Sequence, residues 1–313
     1  IYRLNHQKKI FDVVAVNEVN PDNKNIGYLL QYDTIYKRFD PKVACDDNKI
    51  FVGSDEFHVF HEEKISDVPW DDHGVDIVID SSGIKSNVLL MSRDKSKVRN
   101  FVVTNAPIDV DSVKTIVFGV NEEECDANKH RIFSSSICDT IALSPIFNLI
   151  QQTHAVETGF LITLHPWLAY QNLLDGPSVS WSHPGDIFSH YALGRASTEN
   201  LIPKSTSAIA AADHLFPGIS KKIQSFSYRT PTKIVSSAVL ILLLEKDINK
   251  RHLQLMFEEY EKNQRYNVIH NSIEPLTSLD YCGEEYSAII DQRWTKVENK
   301  RHKIGRASCR ERV

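Results

Sequence analysis

The chain has 313 residues, 42% hydrophobic and 25% charged, the composition of a soluble globular protein of about two domains. Its net charge of −5, with both signs mixed along the chain, argues against nucleic acid or an anionic membrane as the main partner. The longest apolar run, Ala238–Leu244, is too short to cross a bilayer, and the scattered cysteines form no disulfide framework, so a reducing compartment, the cytoplasm, is expected.

The first part alternates strand and helix signals. Phe11–Glu18 reads as a buried strand ending in a carboxylate, and 25–32 as a short helix. Lys49–Gly53 and Phe57–Phe60 read as a hairpin. Further strands are expected at 75–80, 100–104 and 114–120, the first ended by Ser81-Ser82-Gly83. Short apolar strands separated by helical stretches indicate a mostly parallel α/β sheet. From Ser144 the texture changes. A helix over 146–152 is followed by longer strands at 159–164, 222–228 and 236–244, an amphipathic helix near 249–263 and a last strand at 287–291. This half reads as α+β with a mixed or antiparallel sheet, and the boundary between the two domains is expected at 137/138.

Both ends read as unnatural. There is no initiating Met, and residues 304–313 resemble a translated sequencing-adapter read-through. They are expected to be a non-native tail outside the fold.

A strand ending in an acidic residue is what a dinucleotide site uses to hold ribose hydroxyls, and Glu18 fits that role. The plainer reading is a solvated strand-end carboxylate. The glycine fingerprint of such a unit would lie upstream of Ile1, so a Rossmann-type domain lacking its first strand and glycine loop is expected. In the second half, Cys138 stands where a serine-rich run turns into an apolar helical segment, and His165 ends the strand-like Gly159–Leu164. A helix N-terminus favours a thiolate, and a histidine from a neighbouring strand can shuttle its proton. A lone cysteine in an apolar segment can equally be a small buried hydrophobe.

Taken together, Asn17-Glu18, Ser82-Gly83, Asn105-Ala106-Pro107, Gly119-Val120-Asn121, Ser136-Ile137-Cys138-Asp139-Thr140, Thr163-Leu164-His165, Asp175-Gly176-Pro177-Ser178, Pro203-Lys204-Ser205-Thr206 and Tyr228-Arg229-Thr230-Pro231 come in an order that resembles the phosphorylating glyceraldehyde-3-phosphate dehydrogenases. Erythrose-4-phosphate dehydrogenases share these motifs, so the aldehyde stays open. The resemblance implies that Cys138 attacks an aldehyde, His165 acts as base, hydride passes to NAD, and inorganic phosphate releases the thioester as an acyl phosphate. It also implies that Thr140, Arg195, Thr206, Ser207 and Arg229 bind substrate or phosphate anions, that Asn17, Glu18, Ser82, Gly83 and Asn105 contact the cofactor, that no metal takes part, and that the complete protein is a homotetramer.

Departures from the pattern cluster at the anion positions. Ile137, Asp139, Ile141, Leu168 and Ser207 stand where the family has Ser, Thr, Asn, Thr and Gly, and the stretch 179–193 is longer than in relatives. Ile137 cannot donate to an anion. An ionised Asp139 about 5 Å from the thiolate would cost on the order of 3 kcal/mol at an effective dielectric of about 20. Asp139 also suits the first turn of a helix. Two alternatives follow: a non-catalytic pseudoenzyme or interaction protein of the same fold, and a cysteine hydrolase built on Cys138 and His165.

Overall fold

The computed structural model describes residues 1–106, 112–178 and 190–298, and the backbone of 302–309. The calls on Pro107 and on most of the long stretch, 179–189, lie outside the described residues. The chain forms two compact units: 1–80 with 84–102, and 81–83 with 103–313.

In the N-terminal unit a four-stranded sheet runs in the order Ala15–Asn17, Asp55–Phe60, Lys49–Val52, Val43–Cys45. The first pair is parallel, as expected of an α/β unit. The other two are antiparallel, because Lys49–Val52 and Asp55–Phe60 are joined by only Gly53-Ser54, and a two-residue connection cannot return a strand in parallel. Gly53 takes a left-handed φ of 61° there, which a glycine adopts without a Cβ penalty. Helix Asn23–Gln31 starts at Asp22, whose carboxylate accepts the Lys24 N–H at 2.9 Å. A Cβ at Gly27 would fall 2.2 Å from Cys45 Sγ, so this helix can lie close to the sheet only with glycine there. The apolar centre is Phe39, Ile50, Val52, Phe57 and Val59. The sequence reading missed helix Tyr2–Lys8. Its Tyr2 and His6, and Lys9 just past its end, all meet one oxygen of Asp55, at 3.0, 3.1 and 2.7 Å.

The second unit is built on a mixed eight-stranded sheet. Its order is Ile202–Lys204, Ile223–Thr230, Val156–Pro166, Ser236–Leu244, His302–Cys309, Ala288–Asp291, Ile269–Ser272, with Lys296–Glu298 beside His302–Cys309. Val156–Pro166 is parallel to Ile223–Thr230 and antiparallel to Ser236–Leu244. Along Ser236–Leu244 the fully covered apolar residues are Ala238, Leu240, Leu242 and Leu244, the period of two that puts one face of a strand on a core. Ile146, Phe147 and Ile150 of helix Cys138–His154 and Leu253 and Phe257 of helix Lys250–Asn263 join that core. Each such side chain contributes about 1.5–3 kcal/mol by burial. A shorter parallel pair, Val113–Thr115 with Ile132–Ser134, leads into the long helix.

Two expectations need correction. The helix expected at 146–152 starts at Cys138 and runs to His154 through Pro145. Its N-terminal turns are buried nearly all round and bury Asp139, Thr140 and Ser144 with the apolar residues, so periodicity could not mark them. Residues 304–309, expected outside the fold, belong to a strand paired with Ser236–Leu244 on one side and Ala288–Asp291 on the other.

Candidate active site

A tight turn delivers Cys138. Strand Ile132–Ser134 is buried. The Ser134 hydroxyl donates to the Asn105 carbonyl and accepts the Ser136 N–H at 2.9 Å. The Ser135 N–H donates to the Val103 carbonyl at 3.0 Å. Ser136 then adopts a left-handed φ of 63°, Ile137 is extended, and Cys138 begins the helix. A non-glycine residue with positive φ costs about 1–2 kcal/mol, a strain of the kind that collects where a side chain must be aimed. Ile137 precedes the helix but has no side-chain acceptor for its first N–H groups. Cys138 is half-buried.

Asp139 turns inward rather than standing off as a solvated dipole partner. Its Oδ2 lies 2.9 Å from His165 Nε2, with both side chains buried. The other ring nitrogen, Nδ1, meets Ser236 Oγ at 3.0 Å, and the Thr206 hydroxyl reaches Asp139 Oδ2 at 3.5 Å. Thr230 Oγ1 donates to the His165 carbonyl at 3.0 Å, fixing the strand end. A thiol, a carboxylate oxygen and an imidazole nitrogen thus lie within 4.8 Å of one another. A carboxylate that orients an imidazole beside a thiol is a nucleophile-activating arrangement.

The same three groups are a zinc-type donor set. A metal needs an in-plane imidazole lone pair, however, and both ring nitrogens already face protein partners. A proton acceptor needs the same lone pair, so either role requires Asp139 or Ser236 to give up its contact with the ring.

Arg229 is the in-register neighbour of His165 on the parallel strand. It is buried, and its Nη1 donates to the Pro166 carbonyl at 3.0 Å. Thr206 accepts the Ala208 N–H at 3.2 Å and so begins helix Ala208–Ala212 beside Asp139. Ser207 is exposed next to it. The Thr140 hydroxyl donates to the Ala208 carbonyl at 3.0 Å and joins the two helix starts. Arg195 lies at the surface, its Nε 2.9 Å from Asp175 Oδ2. That pair and the Ala196 N–H hold the Asp175 carboxyl below its usual value, the backbone hydrogen bond contributing most.

Of the cofactor candidates, Asn17 ends its strand and exchanges both amide hydrogen bonds with the backbone of Glu62, at 2.9 Å each. Glu18 is exposed, with one oxygen accepting the Asn20 N–H. In the second unit Ser82 and Gly83 are exposed, and Gly83 has a φ of 74°. Asn105 Nδ2 is a buried donor with no partner among the described residues.

Sequence reasoning missed Ser236 and Thr230. It weighed Asp139 only as a repeller of the thiolate or a helix-start residue, not as the partner of His165. Ser236 carried one usable signal: it opens an apolar strand that pairs antiparallel with the strand ending in His165.

Family comparisons agree with this architecture. Residues 1–88 match the NAD-binding domain of glyceraldehyde 3-phosphate dehydrogenase, and residues 137–305 match its C-terminal domain. The chain is 30% identical over 286 residues to glyceraldehyde-3-phosphate dehydrogenase 1 of Bacillus cereus, a match that covers 91% of this chain and 82% of that relative. With both domains matched in order around the cysteine–histidine pair, this chain belongs to the glyceraldehyde 3-phosphate dehydrogenase family and uses NAD as its cofactor.

Proposed function

We propose that the protein oxidises a phosphorylated aldehyde of the glyceraldehyde 3-phosphate type through a thioester on Cys138. The observation that carries this reading is the grouping of Cys138, Asp139 and His165 at the start of a helix. The Cys138 thiolate attacks the aldehyde carbon and gives a thiohemiacetal. His165, released at one ring nitrogen and held at the other, takes the proton from the new hydroxyl as the carbonyl re-forms. Bound NAD supplies the hydride acceptor.

Arg229, beside His165, suits the substrate's phosphate oxygens, since a guanidinium presents a fork of donors. Arg195, Thr206 and Ser207 complete the proposed anion set. In the N-terminal unit, the exposed Glu18 carboxylate at the end of a parallel strand fits ribose hydroxyls, next to Asn17. In the second unit, Gly83, beside Ser82, offers open backbone, and the Asn105 amide, with no partner among the described residues, offers a donor. A domain boundary at 137/138, a homotetramer and a cytoplasmic location belong to the same reading.

The test is NADH formation from glyceraldehyde 3-phosphate and NAD, abolished by Cys138→Ser. No NADH from the wild type under any acceptor, with Cys138→Ser indistinguishable, rejects it. The non-catalytic reading draws support from Ile137 and from the engagement of His165 Nε2 by Asp139. Rapid, NAD-stimulated alkylation of Cys138 by iodoacetamide near neutral pH counts against it.

A further inference from the structure

The three donors grouped at the helix start form a cation site as well as a nucleophile. Cys138 Sγ, an Asp139 carboxylate oxygen and a His165 ring nitrogen lie within 4.8 Å of one another, the cysteine half-buried and the other two side chains enclosed. Asp139 Oδ2 and His165 Nε2 both carry lone pairs, and at 2.9 Å a proton must lie between them. Where a proton is held between two lone pairs, a metal ion can take its place. Oδ1 of the same carboxylate is buried with no hydrogen-bond partner among the described residues. That is costly for a negative group, and a bound dication offsets it.

We propose that Cys138 Sγ, Asp139 Oδ2 and His165 Nε2 bind one Zn²⁺, and that the ion switches the thiol off. Thiolate, imidazole and carboxylate are donors that zinc takes, and three of them leave the fourth tetrahedral position to water. Magnesium and calcium take oxygen donors instead. Zinc bonds set tetrahedral donors about 3.3–3.5 Å apart, so the aspartate–histidine contact opens by about 0.4 Å and the sulfur closes by at most about 1.3 Å. The hydrogen of the ring then sits on Nδ1 and is donated to Ser236 Oγ, already at 3.0 Å, the outer hydrogen bond that orients a metal-bound imidazole. The Thr206 hydroxyl, 3.5 Å from Oδ2, is placed to do the same for the carboxylate. Binding releases the thiol proton and the proton between Asp139 and His165 to solvent, with no change of oxidation state. Asp139 carries the site: it stands where the resemblance gives a threonine, and it adds a charge and a third donor to the cysteine–histidine pair. Binding is independent of the oxidation proposed above. Only the block rests on the thioester reading, since a metal-held thiolate and imidazole can neither attack an aldehyde nor take its proton.

The experiment titrates the full chain, stripped with a chelator, with Co²⁺ and then with Zn²⁺. The expected result is one Co²⁺ per chain with a thiolate-to-cobalt charge-transfer band, displaced by one Zn²⁺. Cys138→Ser removes the band. Asp139→Asn, which keeps the shape of the side chain, weakens Zn²⁺ binding by about 10-fold or more, at least what losing an outer partner costs. Cys125→Ser, which removes an exposed thiol elsewhere, leaves band and affinity unchanged. A band that survives Cys138→Ser, or wild-type zinc affinity in Asp139→Asn, overturns the proposal. If either variant fails to fold, the wild type still decides. One Zn²⁺ per chain must protect Cys138 from iodoacetamide, read by mass spectrometry, and EDTA must restore alkylation; alkylation that ignores Zn²⁺ rejects the site. In the NADH assay, stoichiometric Zn²⁺ stops turnover and EDTA restores it, and turnover unaffected by bound Zn²⁺ overturns the switch. Zinc binding by protein that forms no NADH under any acceptor rejects the thioester reading and leaves the site standing, whereas normal NADH formation with no zinc bound rejects the site alone.

Discussion

Two aspartate contacts in the second unit, one to a histidine and one to an arginine, have the same 2.9 Å separation and opposite surroundings. Asp139–His165 has side chains 3% and 7% exposed, and Asp175–Arg195 has side chains 59% and 63% exposed. In the first, little water competes for the carboxylate, so losing a partner leaves a polar group that solvent cannot satisfy. In the second, water replaces either partner at once and salt screens the attraction. Equal distances therefore say little about consequence, and burial decides.

The largest expected effect comes from breaking the buried pair. His165→Ala strands Asp139 in the core, at a cost of about 3–5 kcal/mol, read as a lower urea midpoint at unchanged slope. An unaffected midpoint would mean that water reaches Asp139 and that the contrast is false. Ser236→Ala comes next. It removes the Nδ1 partner of His165, costs about 1–3 kcal/mol, and lowers NADH formation with it. Ser236→Thr, which keeps the hydroxyl, should restore part of the activity, an outcome that separates positioning of the ring from simple packing.

A third pair of surroundings lies between these extremes. Asp55 collects Tyr2, His6 and Lys9 on one oxygen and holds helix Tyr2–Lys8 to the hairpin. The Lys9 hydrogen bond is the main reason its carboxyl is lowered to about 2. A depressed carboxyl stabilises the fold above its unfolded value of 3.8 and loses that contribution as pH falls through about 2. Hydrogen exchange in residues 2–8 should therefore accelerate between about pH 4 and pH 2 in the wild type. In Asp55→Asn it should already be fast at pH 7. Exchange that ignores both changes would show that the apolar contacts of Tyr2 alone hold the helix.

Much of this was legible beforehand. The strand over 236–244 and the hairpin at 49–60 were visible because period-two burial and a Gly-Ser turn are local signals. Cys138 and His165 were visible through their order among the family motifs. The rest depended on distant parts of the chain. Asp139 could be recognised as a neighbour of the thiol, but its contact with His165 needs a helix start and a strand end brought together across 26 residues. Ser236 is 71 residues from the histidine it meets. The Thr140 hydroxyl meets the Ala208 carbonyl, 68 residues away and on another helix. Register and packing between remote elements, rather than composition, assign these roles.

The exposed pair gives the smallest effect and the clearest check on the comparison. Arg195→Ala should leave the urea midpoint unchanged at pH 7, because the Asp175 carboxylate is solvated and keeps the Ala196 N–H, the stronger of the two groups that lower its pKa. Most of the lowering therefore persists in the variant. Any advantage of the wild type too small to move that midpoint should vanish as pH falls, since a depressed carboxyl stabilises above its unfolded value and loses that contribution as pH drops through the folded one. High salt should erase even that. Activity supplies a separate readout. If Arg195 helps bind the substrate's phosphate, Arg195→Ala raises KM for a phosphorylated aldehyde and leaves KM for its unphosphorylated analogue unaltered. A KM unchanged for both would confine Arg195 to its surface pair with Asp175 and leave Arg229, buried beside His165, as the guanidinium of the anion site.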